Sequence, residues 1–187
     1  LITGIGQGYI QTTPLQLCLM TAQIGNGGYS IKPKILVNND PLTFKEAKTA
    51  MLQQNLNNNN TQLFNNVKNI KIIQEAMFSS TNEIRGTSYR SRIDDPKYQF
   101  AGKTGTAQVK RISKRERELD LKIDQIPYND RDHALYVAYG PYKNPRYALS
   151  IIVEHGGSGS RAAAPMAKEL FKLIIDRDEL REKQPNY

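Results

Sequence analysis

The chain has 187 residues, 39% of them hydrophobic and 24% charged, which is enough for one globular domain with a sizeable core. No run of about 18 apolar residues occurs, which excludes a transmembrane helix within these residues, and the single cysteine, Cys18, excludes an internal disulfide. The net charge of +8 leaves nucleic acid, an anionic lipid surface or an acidic substrate open as partners, beside the plainer reading of basic residues in solvated loops. The first residue is Leu1 rather than methionine, so the chain is expected to be a piece of a longer protein. It shows no signal-peptide pattern.

The chain opens on the glycine-rich run Gly4-Ile5-Gly6-Gln7-Gly8-Tyr9. A helix start follows: Thr13 can cap, Pro14 suits the first helical position and Gln16 completes a capping box. Leu15, Cys18, Leu19 and Ala22 keep helical spacing, and Leu17, Met20 and Ile24 make a second apolar face, so this helix is expected to be buried on most sides. Cys18 reads as a buried structural thiol. Gly25-Asn26-Gly27-Gly28 stops the helix. Residues 31–37 read as a short strand broken by Pro33, and residues 53–66 are asparagine-rich, a surface loop or weak helix. A second helix is predicted with Ile70, Ile73 and Met77 on one face, ending before a polar loop that runs from Gly86 to Pro96.

Strands are predicted over 98–109, 133–139 and 146–154, with residues 110–132 a long charged insertion. Gly140-Pro141 and Asn144-Pro145 supply the reversal between the last two strands. A final amphipathic helix over 162–181 is expected to turn Met166, Leu170, Leu173 and Ile174 inward. The order predicts an α+β fold, an antiparallel sheet flanked by helices, in one domain. A sheet of three strands has an edge open to a further strand.

The first strand carries Lys103-Thr104-Gly105-Thr106. Lysine sets a fixed positive charge, threonine offers a hydroxyl to a carboxylate, and glycine lets backbone and ligand approach closely. Taken alone, so short a motif also fits an ordinary edge strand with a bulge glycine.

The order of several blocks resembles the class B penicillin-binding proteins. These blocks are Gly6-Gln7-Gly8, Thr13-Pro14-Leu15-Gln16-Leu17, Asn26-Gly27-Gly28, Met77 and Asn82 before Gly86-Thr87, Gly102 to Val109, Asp132-His133-Ala134-Leu135 and Val153 to Ser160. The last two resemble the penicillin-binding protein 2 type in particular, the cell-elongation transpeptidases. The resemblance covers nearly the whole chain. It implies the C-terminal part of a transpeptidase domain with the penicillin-binding, β-lactamase-like fold.

The resemblance also implies a chemistry. An active serine is acylated by the D-Ala-D-Ala end of a peptidoglycan stem peptide, and an amine of a neighbouring stem resolves the acyl-enzyme. β-Lactam antibiotics are trapped at that acyl-enzyme. Lys103 would supply positive potential, and Thr104 and Thr106 would hydrogen-bond the carboxylate of substrate or drug. The amide of Thr106 would be one oxyanion-hole donor, a type of contact worth about 3 kcal/mol of barrier. Gly105 would keep the wall open, and Gly6, Gln7 and Gly8 would support the cleft. The implied setting is the periplasmic face of the bacterial inner membrane, with a glycosyltransferase and scaffold proteins as partners of the full-length protein, and with neither cofactor nor metal.

One departure from the family pattern is large. The chain contains no Ser-x-x-Lys, so no catalytic nucleophile is assigned within it. The serine, its lysine base and the Ser-x-Asn motif are expected upstream of Leu1. Ser80-Thr81-Asn82 matches Ser-x-Asn in spelling, but its place after the second helix marks it as a polar helix terminus. On this reading the fragment alone is inactive. A different reading keeps the fold as a non-catalytic partner-binding module.

The remaining motifs favour structural roles. The glycine runs lack the spacing of phosphate-binding loops. His133 and His155 sit at strand ends without metal-ligand spacing around them, so each is expected to be a satisfied structural histidine. The arginines near 85–92 and the 110–117 cluster have too few neighbouring aromatics for a nucleic-acid platform, and no nucleic-acid partner is assigned.

Overall fold

The computed structural model describes residues 10–33, 61–110 and 121–183. Three helices, α1 (Pro14–Gly25), α2 (Val67–Asn82) and α3 (Ala164–Lys183), flank strands β1 (Ala101–Ala107), β2 (His133–Gly140) and β3 (Tyr147–Val153). The strands pair antiparallel in the order β1-β2-β3. Register runs from Ala101 opposite Tyr139 to Ala107 opposite His133, and from Ala134 opposite Val153 to Gly140 opposite Tyr147. The α+β class expected from the sequence is the observed one.

The start of α1 follows its sequence signal. Thr13 Oγ1 accepts from the Gln16 N–H at 3.2 Å, and Gln16 Oε1 accepts from the Thr13 N–H at 2.8 Å, with Pro14 in the first turn. At the far end, Asn26 Oδ1 accepts from the N–H groups of Gly28 and Tyr29 at 3.1 and 2.9 Å. Asn66 caps α2 by accepting from Lys68 N–H at 3.0 Å.

Two cores sandwich the sheet. On one face Ala134, Tyr136 and Ala138 of β2 meet Phe100 and, from the α3 side, Ala163, Ala164, Ala167 and Phe171. Phe100 stacks on Phe171 with ring centroids 4.8 Å apart and meets Tyr136 edge-on at 6.4 Å. On the other face Ile24 of α1 and Met77 of α2 pack on Ala101 and Tyr139. Alternation along β1 puts Ala101, Lys103 and Gly105 on this second face.

Several expectations are corrected. The inward stripe of α3 is Ala164, Ala167, Phe171, Ile175 and Asp178, while Met166, Leu170 and Leu173 are exposed and Ile174 is half-buried. The sheet face already carries the bulk of Tyr136 and Phe100, so alanines allow the close approach and the larger residues turn out. Asp178 is compensated by Arg146 at 3.2 Å, which ties the β2–β3 connection to α3. Helix α1 is not covered on most sides, since Leu15 and Met20 are exposed. Ile73 of α2 is exposed too, although Ile70 and Met77 are buried.

Residues 31–33 form no strand, and 34–37 lie outside the described residues. Tyr29 makes an isolated bridge to Gln62 instead. The first strand is shorter than predicted, because the chain leaves the sheet after Ala107. Of the charged insertion, residues 121–132 form two short 3₁₀ turns, and 111–120 are not described. Cys18 is half-buried with its thiol 3.4 Å from the Ala148 carbonyl, and burial pushes that thiol up.

Candidate functional site

Lys103-Thr104-Gly105-Thr106 lies in the middle of β1, an edge of the described sheet. The Lys103 side chain is exposed, and its ammonium donates to the Thr104 carbonyl at 2.8 Å. Beside it opens a groove of about 600 Å³, lined by Met20, Ile24, Ile73, Met77, Lys103 and Val137 among others. The cation therefore stands at the rim of an apolar trough between the sheet, α1 and α2. Such a site attracts an anion whose remaining surface is apolar.

The open edge of β1 has a defined polarity. The Gly102 N–H points away from β2 and donates to Thr81 Oγ1 at 3.0 Å. Alternation in an antiparallel strand turns the amides of Thr104 and Thr106 the same way, off the sheet. Thr104 is half-buried, and its hydroxyl lies 3.2 Å from that of Thr87. Thr106 is exposed. A Cβ on Gly105 would meet only the Leu135 side chain, at 3.3 Å. One short strand thus presents an ammonium beside the trough, two hydroxyls from its other face and two outward amides along its open edge.

Residues 1–172 match the family model described as the penicillin binding protein transpeptidase domain. The chain belongs to this family. It is 32% identical over 174 residues to peptidoglycan D,D-transpeptidase MrdA of Salmonella typhimurium, spanning 92% of this chain and 26% of that protein. It is 36% identical over 173 residues to MrdA of Acinetobacter baumannii, spanning 90% of this chain and 23% of that protein. Among solved structures it resembles Pseudomonas aeruginosa PBP2 in complex with WCK 5153, at TM-score 0.64 and 31% identity over 92% of this chain and 32% of that one. It also resembles the Helicobacter pylori complex between PBP2 and MreC, at TM-score 0.61 and 29% identity over 96% of this chain and 27% of the other. The chain spans about a quarter of the length of the curated relatives named here. These relatives are of the penicillin-binding protein 2 type, as the blocks around His133 and His155 led us to expect.

Ser80-Thr81-Asn82 forms the last turn of α2, the polar helix terminus read from sequence. Its role in the fold is larger than that reading. Asn82 Nδ2 donates to the Phe100 carbonyl at 2.9 Å, and the fully buried Thr81 bonds Gly102 and Tyr136. Ser80 Oγ reaches Thr87 Oγ1 at 3.2 Å. Sequence reasoning missed Thr87 and Tyr136 as contributors. The signal available for Thr87 was its place directly after Gly86, in a turn that must come back to the strand.

His133 and His155 are both partnered. The His155 N–H donates to His133 Nδ1 at 3.0 Å, and His155 Nδ1 lies 3.0 Å from the Arg131 carbonyl. Among the described residues no group of three or more His, Cys, Asp or Glu is arranged to hold a metal. No described helix is long and apolar enough to cross a membrane. Gly6, Gln7 and Gly8 lie outside the described residues.

Proposed function

We propose that this chain is the C-terminal part of one transpeptidase domain. In the whole protein it forms the Lys-Thr-Gly wall of a peptidoglycan D,D-transpeptidase. The observation that carries this reading is the placement of an exposed Lys103 on an edge strand, over an open groove, in a chain of this family.

The reaction divides between this chain and polypeptide outside it. A serine supplied from outside attacks the carbonyl of the penultimate D-alanine, and terminal D-alanine leaves. The amine of a second stem peptide then attacks the ester, forms the cross-link and frees the serine. Lys103 and the hydroxyls of Thr104 and Thr106 hold the terminal carboxylate. The outward amide of Thr106 stabilises the oxyanion. A β-lactam carries a carboxylate of the same kind and opens its ring on the same serine. Gly6, Gln7 and Gly8 support the cleft.

The reading places the site at the periplasmic face of the bacterial inner membrane. The partners are a scaffold protein, supported by the complex of the Helicobacter pylori relative with MreC, and an elongation glycosyltransferase. A fluorescent penicillin tests the reading. The full-length protein carrying this chain should give a covalent band on a denaturing gel, and the 187 residues alone should give none. A band on the 187 residues would overturn the assignment of the nucleophile to other polypeptide. Silence from a folded full-length protein would favour a non-catalytic partner-binding module.

A further inference from the structure

We infer that Thr87 is a positioning residue for the carboxylate site: it orients the Thr104 hydroxyl by donating to it. This rests on the reading of Thr104 as a carboxylate ligand, and deepens it.

Three hydroxyls lie in a row. Ser80 Oγ is 3.2 Å from Thr87 Oγ1, and Thr87 Oγ1 is 3.2 Å from Thr104 Oγ1. A hydroxyl has one proton to give. For Thr104 to donate to a carboxylate, the bond it shares with Thr87 must run the other way, with Thr87 donating. Thr87 in turn is free to accept from Ser80. The chain then points in one direction, from the last turn of α2 to the ligand, and each bond polarises the next.

The fold brings Thr87 to this position by a close approach. A Cβ at Gly86 would sit 2.3 Å from the Ser80 carbonyl and 2.5 Å from that of Ser79, so only glycine lets the turn lie on the helix end. The Gly86 N–H donates to the Glu83 carbonyl at 2.8 Å, and the Ser88 N–H donates to that of Ser80 at 3.0 Å, which pins the turn on both sides of Thr87. Thr87 also lines the groove with Lys103. Lys103 is already engaged with the Thr104 carbonyl at 2.8 Å, and its ammonium is 3.5 Å from the Thr104 hydroxyl, too long for a strong claim on it. Thr87 is thus the closest hydroxyl neighbour of Thr104.

The test is acylation of the full-length protein by a fluorescent penicillin, resolved into half-saturating concentration and rate at saturation. Thr87→Val should raise the half-saturating concentration about fivefold, the worth of one ordinary hydrogen bond, and leave the saturated rate unchanged. Thr87→Ser keeps the oxygen and should stay within about twofold of wild type. Ser80→Ala removes the far donor without touching the wall, and should give a smaller rise of the same kind. In a Thr104→Val background, Thr87→Val should cost nothing more. Wild-type affinity in Thr87→Val, or losses that add in the double variant, would overturn the inference while leaving the carboxylate role of Thr104 standing. Wild-type affinity in Thr104→Val would overturn both.

Discussion

The Thr81 hydroxyl, in the last turn of α2, lies 2.9 Å from the Tyr136 hydroxyl in the central strand, and both residues are fully buried. The surrounding bonds fix its direction. Thr81 accepts from the Gly102 N–H at 3.0 Å and gives its own proton to Tyr136; Tyr136 gives to Ser88 at 3.0 Å, and Ser88 gives to the Ser80 carbonyl at 3.0 Å. Helix, turn and two strands are joined through five polar groups, none left over. Thr81→Val keeps the shape but orphans a buried N–H and removes one donor from Tyr136. It should destabilise by about 2–3 kcal/mol, against less than about 1 kcal/mol for Thr81→Ser. Urea unfolding of the two variants checks this, and equal losses would mean that packing, not the hydroxyl, matters at this position.

The tyrosines of β2 make a pH prediction. Burial pushes the Tyr136 phenol above its ordinary value of 10.0, outweighing the hydrogen bonds with Ser88 and Thr81, which act the other way. Burial, with Tyr142 nearby, pushes Tyr139 the same way. Unfolded tyrosine ionises near pH 10, while the folded residues keep their protons. Above that pH the unfolded state binds fewer protons, so stability is full below about pH 10 and falls as pH rises beyond it. Each group contributes a slope of up to about 1.4 kcal/mol per pH unit. Unfolding free energies between pH 8 and 11 should be level and then descend, and Tyr139→Phe should lose one proton's worth of the descent. A profile unchanged by that substitution would contradict the burial argument.

Much of this was legible in the sequence, for reasons that particular residues make clear. Thr13, Pro14 and Gln16 act within one helical turn, so the start of α1 could be read locally. The Lys-Thr-Gly strand and the two strands that follow it in the sheet could be read from alternation and from turn residues. The phase of α3 could not be read that way. Hydrophobicity alone selects Met166, Leu170 and Leu173, whereas the bulk already present at Phe100 and Tyr136 selects alanine. The same limit hid the hydroxyl chains. Ser80, Thr81 and Thr87 are ordinary polar residues until a distant strand supplies Gly102 and Thr104.

Tyr139 offers a contrast with Tyr136. Its ring is buried among Ile24, Met77 and Ala101, but its hydroxyl meets no hydrogen-bonding protein group among the described residues. A buried hydroxyl without a partner costs free energy, and removing it restores nothing to be satisfied. Tyr139→Phe should therefore be neutral or stabilise by up to about 1 kcal/mol at pH 7, while Tyr136→Phe should destabilise by about 1 kcal/mol or more. Thermal melts of the pair check the sign of the difference, and a destabilised Tyr139→Phe would reveal a partner for its hydroxyl.

Two glycines three residues apart on β1 separate folding from function. A Cβ on Gly102 would stand 2.4 Å from the Tyr136 hydroxyl, inside the buried network, so Gly102→Ala should cost about 2–3 kcal/mol. A Cβ on Gly105 would meet only the Leu135 side chain, at 3.3 Å, on the same face of β1 as Lys103. Gly105→Val should leave the melting temperature near wild type, since branched residues suit a strand, yet lower acylation by a fluorescent penicillin about a hundredfold by displacing the ligand from the wall. Melting and acylation measured on the same preparations of the full-length protein distinguish the two. Should Gly105→Val acylate normally, the ligand does not pass along this face of β1, and the groove beside Lys103 is not the cleft.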